Sequence, residues 1–322
     1  SDKEGQEGKI RVIVPAYLKL HRSGELKARA ERARAILADC QLCPQGCRAN
    51  RVKGKTGHCR TALQAAVSSY GPHFGEEKPL VGTRGSGTIF FSYCNLRCVF
   101  CQNYTISQQG EGEPVDDNVL AGMMLSLEQR GCHNINLVTP THVVPQILSA
   151  LVIAAGSGLS IPLVYNCGGY ESVETLKLLD GVVDIYMPDM KYSDEPHGRA
   201  FSGAKNYPDV NRKAVREMYR QVGDLQFDSR GVATRGLFVR HLVMPNNIAG
   251  TKGVAEFLAK EISKDTYLNM MDQYRPAHRA SEIPRIARPL RREEYLEAVN
   301  IALSCGLNRL DGIDLNCEAG NV

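Results

Sequence analysis

Three cysteines stand close together in the first half of the chain, in the run YCNLRCVFCQN. Cys94, Cys98 and Cys101 follow the pattern C-x₃-C-x₂-C. Three thiolates at this spacing can bind three corners of a cubane iron–sulfur cluster, whereas a cluster that only carries electrons normally has a fourth cysteine. The remaining iron then has an open position for chemistry, as a catalytic zinc site does. The alternative is a zinc knuckle or a coincidental group in a cysteine-rich chain.

A second group of cysteines lies nearer the N-terminus. Cys40, Cys43, Cys47 and Cys59 have the spacing C-x₂-C-x₃-C-x₁₁-C. Four thiolates complete the coordination of a cluster, which indicates an auxiliary [4Fe–4S] cluster that relays electrons or anchors a substrate. A structural zinc site, or a single iron, is the alternative. Either centre would stabilise the stretch from Cys40 to about Gly85, in which we expect mainly loops.

The cysteine count and the composition narrow the class of protein. Eleven cysteines is an odd number, and the N-terminal run SDKEGQEGKI has no secretory apolar region, so metal binding in the cytoplasm is expected rather than disulfides. A net charge of +4 is too small to indicate nucleic acid as a partner. No apolar run approaches the roughly 18 residues of a membrane span. The four scattered cysteines are expected to be buried small residues: Cys132, Cys167, Cys305 and Cys317.

Short apolar runs alternate with amphipathic stretches in the rest of the chain, and these elements must position the three-cysteine loop. The predicted strands are Thr88–Ser92, Asn134–Val138, Pro162–Tyr165, Val183–Met187, Leu237–Val243 and Tyr267–Met271. The predicted helices between and after them are Asp117–Arg130, Val144–Ala155, Val173–Leu179, Gly253–Ser263 and Arg292–Cys305. This alternation predicts an α/β fold with a parallel sheet, and six strands are too few for a closed eight-stranded barrel. We therefore predict a partial (β/α)6 barrel of the TIM type.

The predicted domain organisation follows from this pattern. Residues 1–85 are expected to form an N-terminal segment with an amphipathic helix, Glu25–Leu37, and the four-cysteine site. Residues 86–312 are expected to form the partial barrel, and residues 313–322 a C-terminal tail. The three-cysteine loop follows the first barrel strand. Loops in that position carry the catalytic groups of barrel enzymes.

The three-cysteine run, with Phe100 before its last cysteine, resembles the radical S-adenosylmethionine (SAM) superfamily. Its continuation through Gln102 and Asn103 resembles the branch that contains the pyruvate formate-lyase activating enzymes. The blocks NINLVTPTHVVPQIL, VDIYMPDMKY and VRHLVMPN are similar to the uncharacterised activating-enzyme-like subfamily of that branch. The resemblance implies a [4Fe–4S] cluster that binds SAM at its open iron and yields a 5′-deoxyadenosyl radical. It also implies ferredoxin or flavodoxin as the electron donor.

The resemblance further implies which residues hold SAM. The Gly-Gly-Glu of the superfamily, which receives the SAM amino group, is replaced here by Thr139-Pro140-Thr141-His142. Asp189 and Lys191, in PDMK, match the Asp-Leu-Lys with which the activating enzymes hold SAM. The full set of implied cofactor-binding residues is Phe100, Asn103, Thr139, His142, Asn166, Asp189, Lys191, Arg240 and His278. Each charged member could instead form an ordinary ion pair, and His142 could be structural.

Three functional hypotheses follow. The first is an enzyme that abstracts a hydrogen atom from a protein or peptide, as a glycyl-radical activase does. The second is a small-molecule radical SAM enzyme of cofactor or lipid biosynthesis. The third is an iron–sulfur electron-transfer protein without turnover, which would form no 5′-deoxyadenosine.

Overall fold

A nine-stranded sheet forms the centre of the computed structural model, which describes residues 14–312. The strands are β1 Ala65–His73, β2 Ser86–Phe91, β3 Glu113–Val115, β4 Ile135–Val138, β5 Leu163–Cys167, β6 Ile185–Pro188, β7 Gln226–Phe227, β8 Ala233–Leu242 and β9 Tyr267–Met271. The helices are α1 Tyr17–Arg22, α2 Glu25–Ala35, α3 Lys78–Val81, α4 Asp117–Gln129, α5 Val144–Gly156, α6 Val173–Leu178, α7 Glu195–Ser202, α8 Tyr207–Val222, α9 Thr251–Phe257 and α10 Arg292–Ser304. The predicted C-terminal tail, Cys317 and the first residues of the N-terminal segment lie outside the described residues.

Six strands of this sheet are parallel and follow one another in the order β2-β4-β5-β6-β8-β9. Helices lie between them in the chain, as right-handed parallel crossovers require. Among residues 14–312, β9 pairs only with β8 in the sheet, so the parallel strands do not close into a ring. The predicted partial (β/α)6 barrel is confirmed.

The predicted strands and helices agree with this structure to within a few residues, but several elements were not predicted, among them the short elements α1, α3, β3 and β7. Helices α7 and α8 were not predicted, although α8 is 16 residues long. Strand β1 was not predicted either, because its sequence AAVSSYGPH has only three leading apolar residues and contains both Gly and Pro. The stretch from Cys40 to about Gly85, in which we expect mainly loops, thus contains a nine-residue strand, and β1 pairs antiparallel with β2 across the predicted domain boundary.

The two faces of the parallel strands have different partners. The outward residues Leu137, Tyr165 and Val239 belong to the large core that the helices cover. The inward residues Val164, Ile185 and Phe238 form a separate apolar cluster inside the barrel. Alternate residues of a strand point to opposite faces, so the pairing register identifies which polar side chains enter the lumen.

The two ends of the barrel also differ. The cysteine run follows β2 at the C-terminal ends of the parallel strands, where barrel folds place their functional loops. Residues 74–77 connect β1 to α3 at the opposite end. Within the described part of the chain, no helix is both long and apolar enough to span a membrane.

Candidate active site

The loop from Cys94 to Cys101 is fixed to neighbouring elements by its backbone. Arg97 N donates to Ser202 O at 2.9 Å, and Val99 N donates to Phe201 O at 2.8 Å, so the end of α7 supports the loop. Gln108 Nε2 donates to Cys98 O at 2.8 Å from the other side. Contacts within the protein therefore hold the loop on two sides, independently of any cofactor.

The three thiols face hydroxyl and amide groups. Cys98 is buried and its Sγ lies 3.0 Å from Ser202 Oγ. Cys101 Sγ lies 3.1 Å from Ser107 Oγ. The amide of Leu96 donates to Cys94 Sγ at 3.3 Å. Hydrogen bonds of this kind stabilise thiolates and adjust the properties of a metal centre that they bind.

The thiols of the loop are close enough for the charge of one to change the pKa of another. Burial raises the pKa of Cys94 strongly, and the negative charge of a Cys98 thiolate raises it further. Burial also raises the pKa of Cys98, while the positive charge of Lys191 lowers it. In residues 14–312 no three His, Cys, Asp or Glu side chains converge on a single-ion site. Three soft donors on one loop beside a cation suit an anionic iron–sulfur cluster.

A buried ion-pair network lies beside this loop. Lys191 Nζ is 2.6 Å from Asp189 Oδ2, and Arg240 Nε donates to Asp189 Oδ1 at 3.0 Å. Arg240 Nη2 donates to Asn166 Oδ1 at 2.7 Å. Burial opposes the ionisation of Asp189, but the charges of Arg240 and Lys191 outweigh it and lower its pKa. Burial likewise disfavours the charged form of Lys191, but Asp189 reverses this and raises the pKa of the ammonium group.

Two residues of α8, absent from the sequence prediction, shape the turn that carries Asp189 and Lys191. Tyr207 Oη accepts from Lys191 N at 3.0 Å and lies 3.1 Å from Asp189 O. Asn211 Nδ2 donates to Asp189 O at 3.0 Å. Both side chains are buried, and only a correct prediction of α8 could have indicated them.

The Thr139–His142 segment follows β4 and is buried from Pro140 onwards. Thr139 has a left-handed backbone, with φ 60°, and its amide donates to Asn166 O at 2.8 Å. His142 Nε2 lies 2.8 Å from Ser92 O, directly before the cysteine loop. Burial lowers the pKa of His142 to about 4, so its ring is neutral near pH 7. The ring thus supports the start of the loop.

The other predicted cofactor-binding residues lie around the mouth of the barrel. Phe100 is buried, and its ring centroid lies 5.9 Å from that of Tyr274. His278, also with left-handed φ, 51°, stacks on Tyr104 with ring centroids 4.8 Å apart. Asn103 is exposed on the far end of the loop.

The N-terminal cysteines lie next to the same region. Cys40 and Cys59 are buried, Cys43 is partly buried and Cys47 is exposed. Burial raises the pKa of Cys43 to about 12, and the nearby Cys59 and Cys40 raise it further. Cys47 packs against Gly57, since a Cβ atom there would lie 2.1 Å from Cys47 Sγ. The four cysteines therefore lie in one neighbourhood.

Polar contacts connect the two cysteine groups. Gln45 Nε2 donates to Asn95 O at 2.9 Å, beside Cys94. Arg97 contacts His58 O, and although burial lowers the pKa of Arg97, thiolates at Cys94 and Cys59 would oppose that decrease. Arg97 is thus close to both groups.

Comparisons with known proteins give one clear relative. No family model matches the chain. Uncharacterized protein MJ0674 of Methanocaldococcus jannaschii is 32% identical over 286 residues, which are 86% of this chain and 78% of that protein.

Three solved structures also match part of the chain. The crystal structure of HydG, a maturase of the [FeFe]-hydrogenase, has a TM-score of 0.47 and 15% identity over 68% of this chain, and the match spans only 48% of the HydG chain. The structure of TYW1 with a lysine-pyruvate adduct bound has a TM-score of 0.41 and 10% identity, covering 67% of this chain and 73% of that one. Methylornithine synthase (PylB) has a TM-score of 0.44 and 16% identity, covering 69% of each chain.

Proposed function

The chain belongs to the same family as uncharacterized protein MJ0674 of Methanocaldococcus jannaschii, and from the residues of the site we propose that it is a radical SAM enzyme. One observation carries the proposal. The three thiols of Cys94, Cys98 and Cys101 lie on the loop after the first parallel strand, beside the buried Lys191–Asp189 pair. Three protein ligands and an adjacent buried cation suit a cluster with an open iron and an anionic ligand group on that iron.

The chain's own residues would bind and orient the cofactors. Cys94, Cys98 and Cys101 would hold the [4Fe–4S] cluster, with Ser202 and Ser107 donating hydrogen bonds to two of the sulfurs. When bound, the cluster supplies the electron for reductive cleavage of SAM, which gives the 5′-deoxyadenosyl radical.

The ion-pair network would receive SAM. Lys191 offsets the charge of a carboxylate, and Arg240 fixes the position of Asp189. The carbonyl groups of the Thr139–His142 segment can accept from an amino group, and its left-handed turn at Thr139 sets their direction. The Phe100 and Tyr274 rings exclude water from the loop.

The N-terminal cysteines would hold a second [4Fe–4S] cluster, with structural zinc or iron as the alternative. Proximity to Arg97 supports a role in electron supply, because one guanidinium lies near both cysteine groups. Ferredoxin or flavodoxin would be the reductant.

The proposed reaction is hydrogen-atom abstraction from a protein or peptide, as the resemblance to the activating enzymes implies. A small-molecule substrate is the second candidate. The observation that favours it is the presence of buried polar atoms without partners inside the lumen, at Asn136 and Glu77. A small molecule can reach these buried atoms in the lumen more easily than a segment of a folded protein can.

Electron paramagnetic resonance of anaerobically reconstituted protein tests the proposal. The dithionite-reduced protein should give a [4Fe–4S]⁺ signal whose g-values change when SAM is added, because SAM binds an iron of the cluster. Cys98→Ala should lose the SAM-dependent change. Cys132→Ala, which removes a buried thiol elsewhere, should keep it. A signal that is insensitive to SAM in the wild type would contradict the proposal.

A further inference from the structure

The barrel lumen contains polar atoms that the proposed cofactor site does not use. Asn136 of β4 is fully buried; within residues 14–312 its side-chain oxygen has no hydrogen-bond partner, and its amide nitrogen makes a weak contact with the carboxyl group of Glu76. Asn136 pairs with Thr88 of β2 and with Val164 of β5, and Val164 belongs to the apolar cluster inside the barrel. Paired residues of neighbouring strands point to the same face, so Asn136 faces the lumen. Buried amides without partners cost free energy unless a ligand or water completes them.

Two consecutive glutamates reach the same place from the N-terminal end of the barrel. Glu77 Oε1 accepts from Asn269 Nδ2 at 3.1 Å and lies 3.8 Å from Arg240 Nη1. Its other oxygen, Oε2, is buried and has no hydrogen-bond partner in the part of the chain that the structure describes. Glu76 is close to both Glu77 and Asn136. The buried oxygens without a hydrogen-bond partner among the described residues are therefore Glu77 Oε2 and Asn136 Oδ1. We call Glu76, Glu77 and Asn136 the lumen site.

The charges of this region do not balance. Glu76, Glu77 and Asp189 supply three carboxyl groups, whereas Arg240 and Lys191 supply two cations, and both cations already contact Asp189. Asp311 and Lys78, which lie near Glu77, add one charge of each sign. Full ionisation would leave one excess negative charge in the lumen. Burial raises the pKa of Glu76 to about 7; Arg240 opposes this rise and Glu77 adds to it. One carboxyl group is thus poised to release its proton when a further cation arrives.

We propose that the lumen site binds a primary ammonium group of the substrate. An ammonium group can donate to Glu77 Oε2 and to Asn136 Oδ1, and its third N–H can donate to the carboxylate of Glu76 once that group has released its proton. An anion would instead meet the carboxyl groups of Glu76 and Glu77, and the cation beside Glu77, Arg240, already contacts Asp189. That this ligand is the substrate rests on the proposed function, whereas binding of an ammonium group to the lumen site does not.

The position of the site suits this role. Asn136 lies two residues before Val138, whose neighbour on β5 is Asn166, the partner of Arg240. At a rise of about 3.3 Å per residue, the Asn136 end of the lumen site is roughly 7 Å deeper in the barrel than Asn166, while Glu77 reaches the network at Arg240. A ligand there lies below the mouth, with the apolar cluster of Ile185 and Phe238 nearby.

Calorimetry of the reconstituted protein tests the proposal with three matched probes: ethanolammonium, neutral ethylene glycol and anionic glycolate. We expect ethanolammonium to bind most tightly, with at least tenfold weaker binding in Asn136→Leu and in Glu77→Gln. The exposed Asn300→Leu is the control and should bind as the wild type does. Near pH 7, binding should release up to about one proton, measured as a dependence of the heat on buffer ionisation, because the bound cation lowers the pKa of Glu76.

A short peptide with a central lysine distinguishes a lysine side chain from a small free amine. The peptide should compete with ethanolammonium only if the substrate is a protein or peptide. The proposal is wrong if glycolate or ethylene glycol binds as well as ethanolammonium, or if both lumen variants bind it like the wild type. If none of the three probes binds, the proposal is wrong as well, and water alone would fill the site. Formation of 5′-deoxyadenosine by the wild type is measured in the same samples, so failure of the lumen site is distinguished from failure of the proposed function.

Discussion

The ammonium group of Lys191 lies 2.6 Å from the carboxylate of Asp189, and only 14% and 12% of these side chains are exposed. Arg240 occupies the other oxygen of the same carboxylate at 3.0 Å. Asp189 is therefore satisfied on both sides, whereas Lys191 has three donors and retains capacity for a ligand. Lys191 can therefore keep its ion pair with Asp189 and contact a cofactor at the same time.

Replacement of Lys191 by Ala tests its role towards SAM. We expect SAM binding to weaken by about 1.5–3 kcal/mol, the value of a charge-assisted contact. The visible spectrum of the cluster should barely change, because Lys191 is not an iron ligand. Asp189→Asn should have the same effect more mildly.

Calorimetric titration with SAM measures this effect. Lys177→Ala, which removes an exposed lysine paired with Glu174, is the matched control and should leave the affinity unchanged. Unchanged affinity in both Lys191→Ala and Asp189→Asn would assign the pair a structural role only.

The iron content of the protein tests whether the N-terminal cysteines hold a second cluster. Anaerobically reconstituted wild-type protein should contain about eight iron atoms, and the double variant Cys40→Ala/Cys43→Ala about four, since each [4Fe–4S] cluster contributes four. Elemental analysis measures both. Cys132→Ala should keep the full count. Stoichiometric zinc together with a single cluster would instead make the N-terminal site structural.

The buried carboxyl group of Glu171 makes stability depend on pH. Burial raises its pKa from 4.5 to about 7, although the hydroxyl groups of Thr141 and Tyr165 oppose the rise by donating to it. The folded state therefore binds this proton more tightly than the unfolded state. The resulting stabilisation is fully present below the unfolded value of 4.5 and is lost as pH rises through about 7.

Glu171→Gln removes this titration. Between the two pKa values, the free energy of unfolding of the wild type should fall relative to the variant by up to about 1.4 kcal/mol per pH unit. Urea unfolding of both proteins across that range measures the difference. Glu174→Gln, at an exposed position, should follow the wild-type profile. Parallel profiles for wild type and Glu171→Gln would show that the carboxyl group does not titrate as described.

The sequence predicted the barrel because its strands are buried on both faces. Runs such as LVY in β5 and IYMP in β6 are continuous and largely apolar, which is the pattern of parallel strands. Helix α8 was missed because YPDVNRKAVREMYRQV is mostly polar, and several of the residues that it buries, such as Asn211 and Gln221, are polar as well. Its Tyr207 and Asn211, which hold the turn at Asp189, were missed with it.

The contacts within the site depend on register, which local patterns do not specify. Asp189 and Arg240 are 51 residues apart, and their contact requires the pairing of β6 with β8 across two unpredicted helices. The contact between Glu77 and Asn269 spans 192 residues and enters the lumen from a loop in a stretch expected to lack regular structure. The cysteine spacing, in contrast, is local, and it could be recognised directly from the sequence.

The central claim is that Cys94, Cys98 and Cys101 hold a cluster that cleaves SAM. Its most direct test is the formation of 5′-deoxyadenosine by the anaerobically reconstituted protein under dithionite, quantified by chromatography. The wild type should form 5′-deoxyadenosine, and the triple Cys→Ala variant should form none while retaining the metal of its N-terminal site. Cleavage of SAM by the triple variant, or its absence in a wild type with full iron content, would contradict the account.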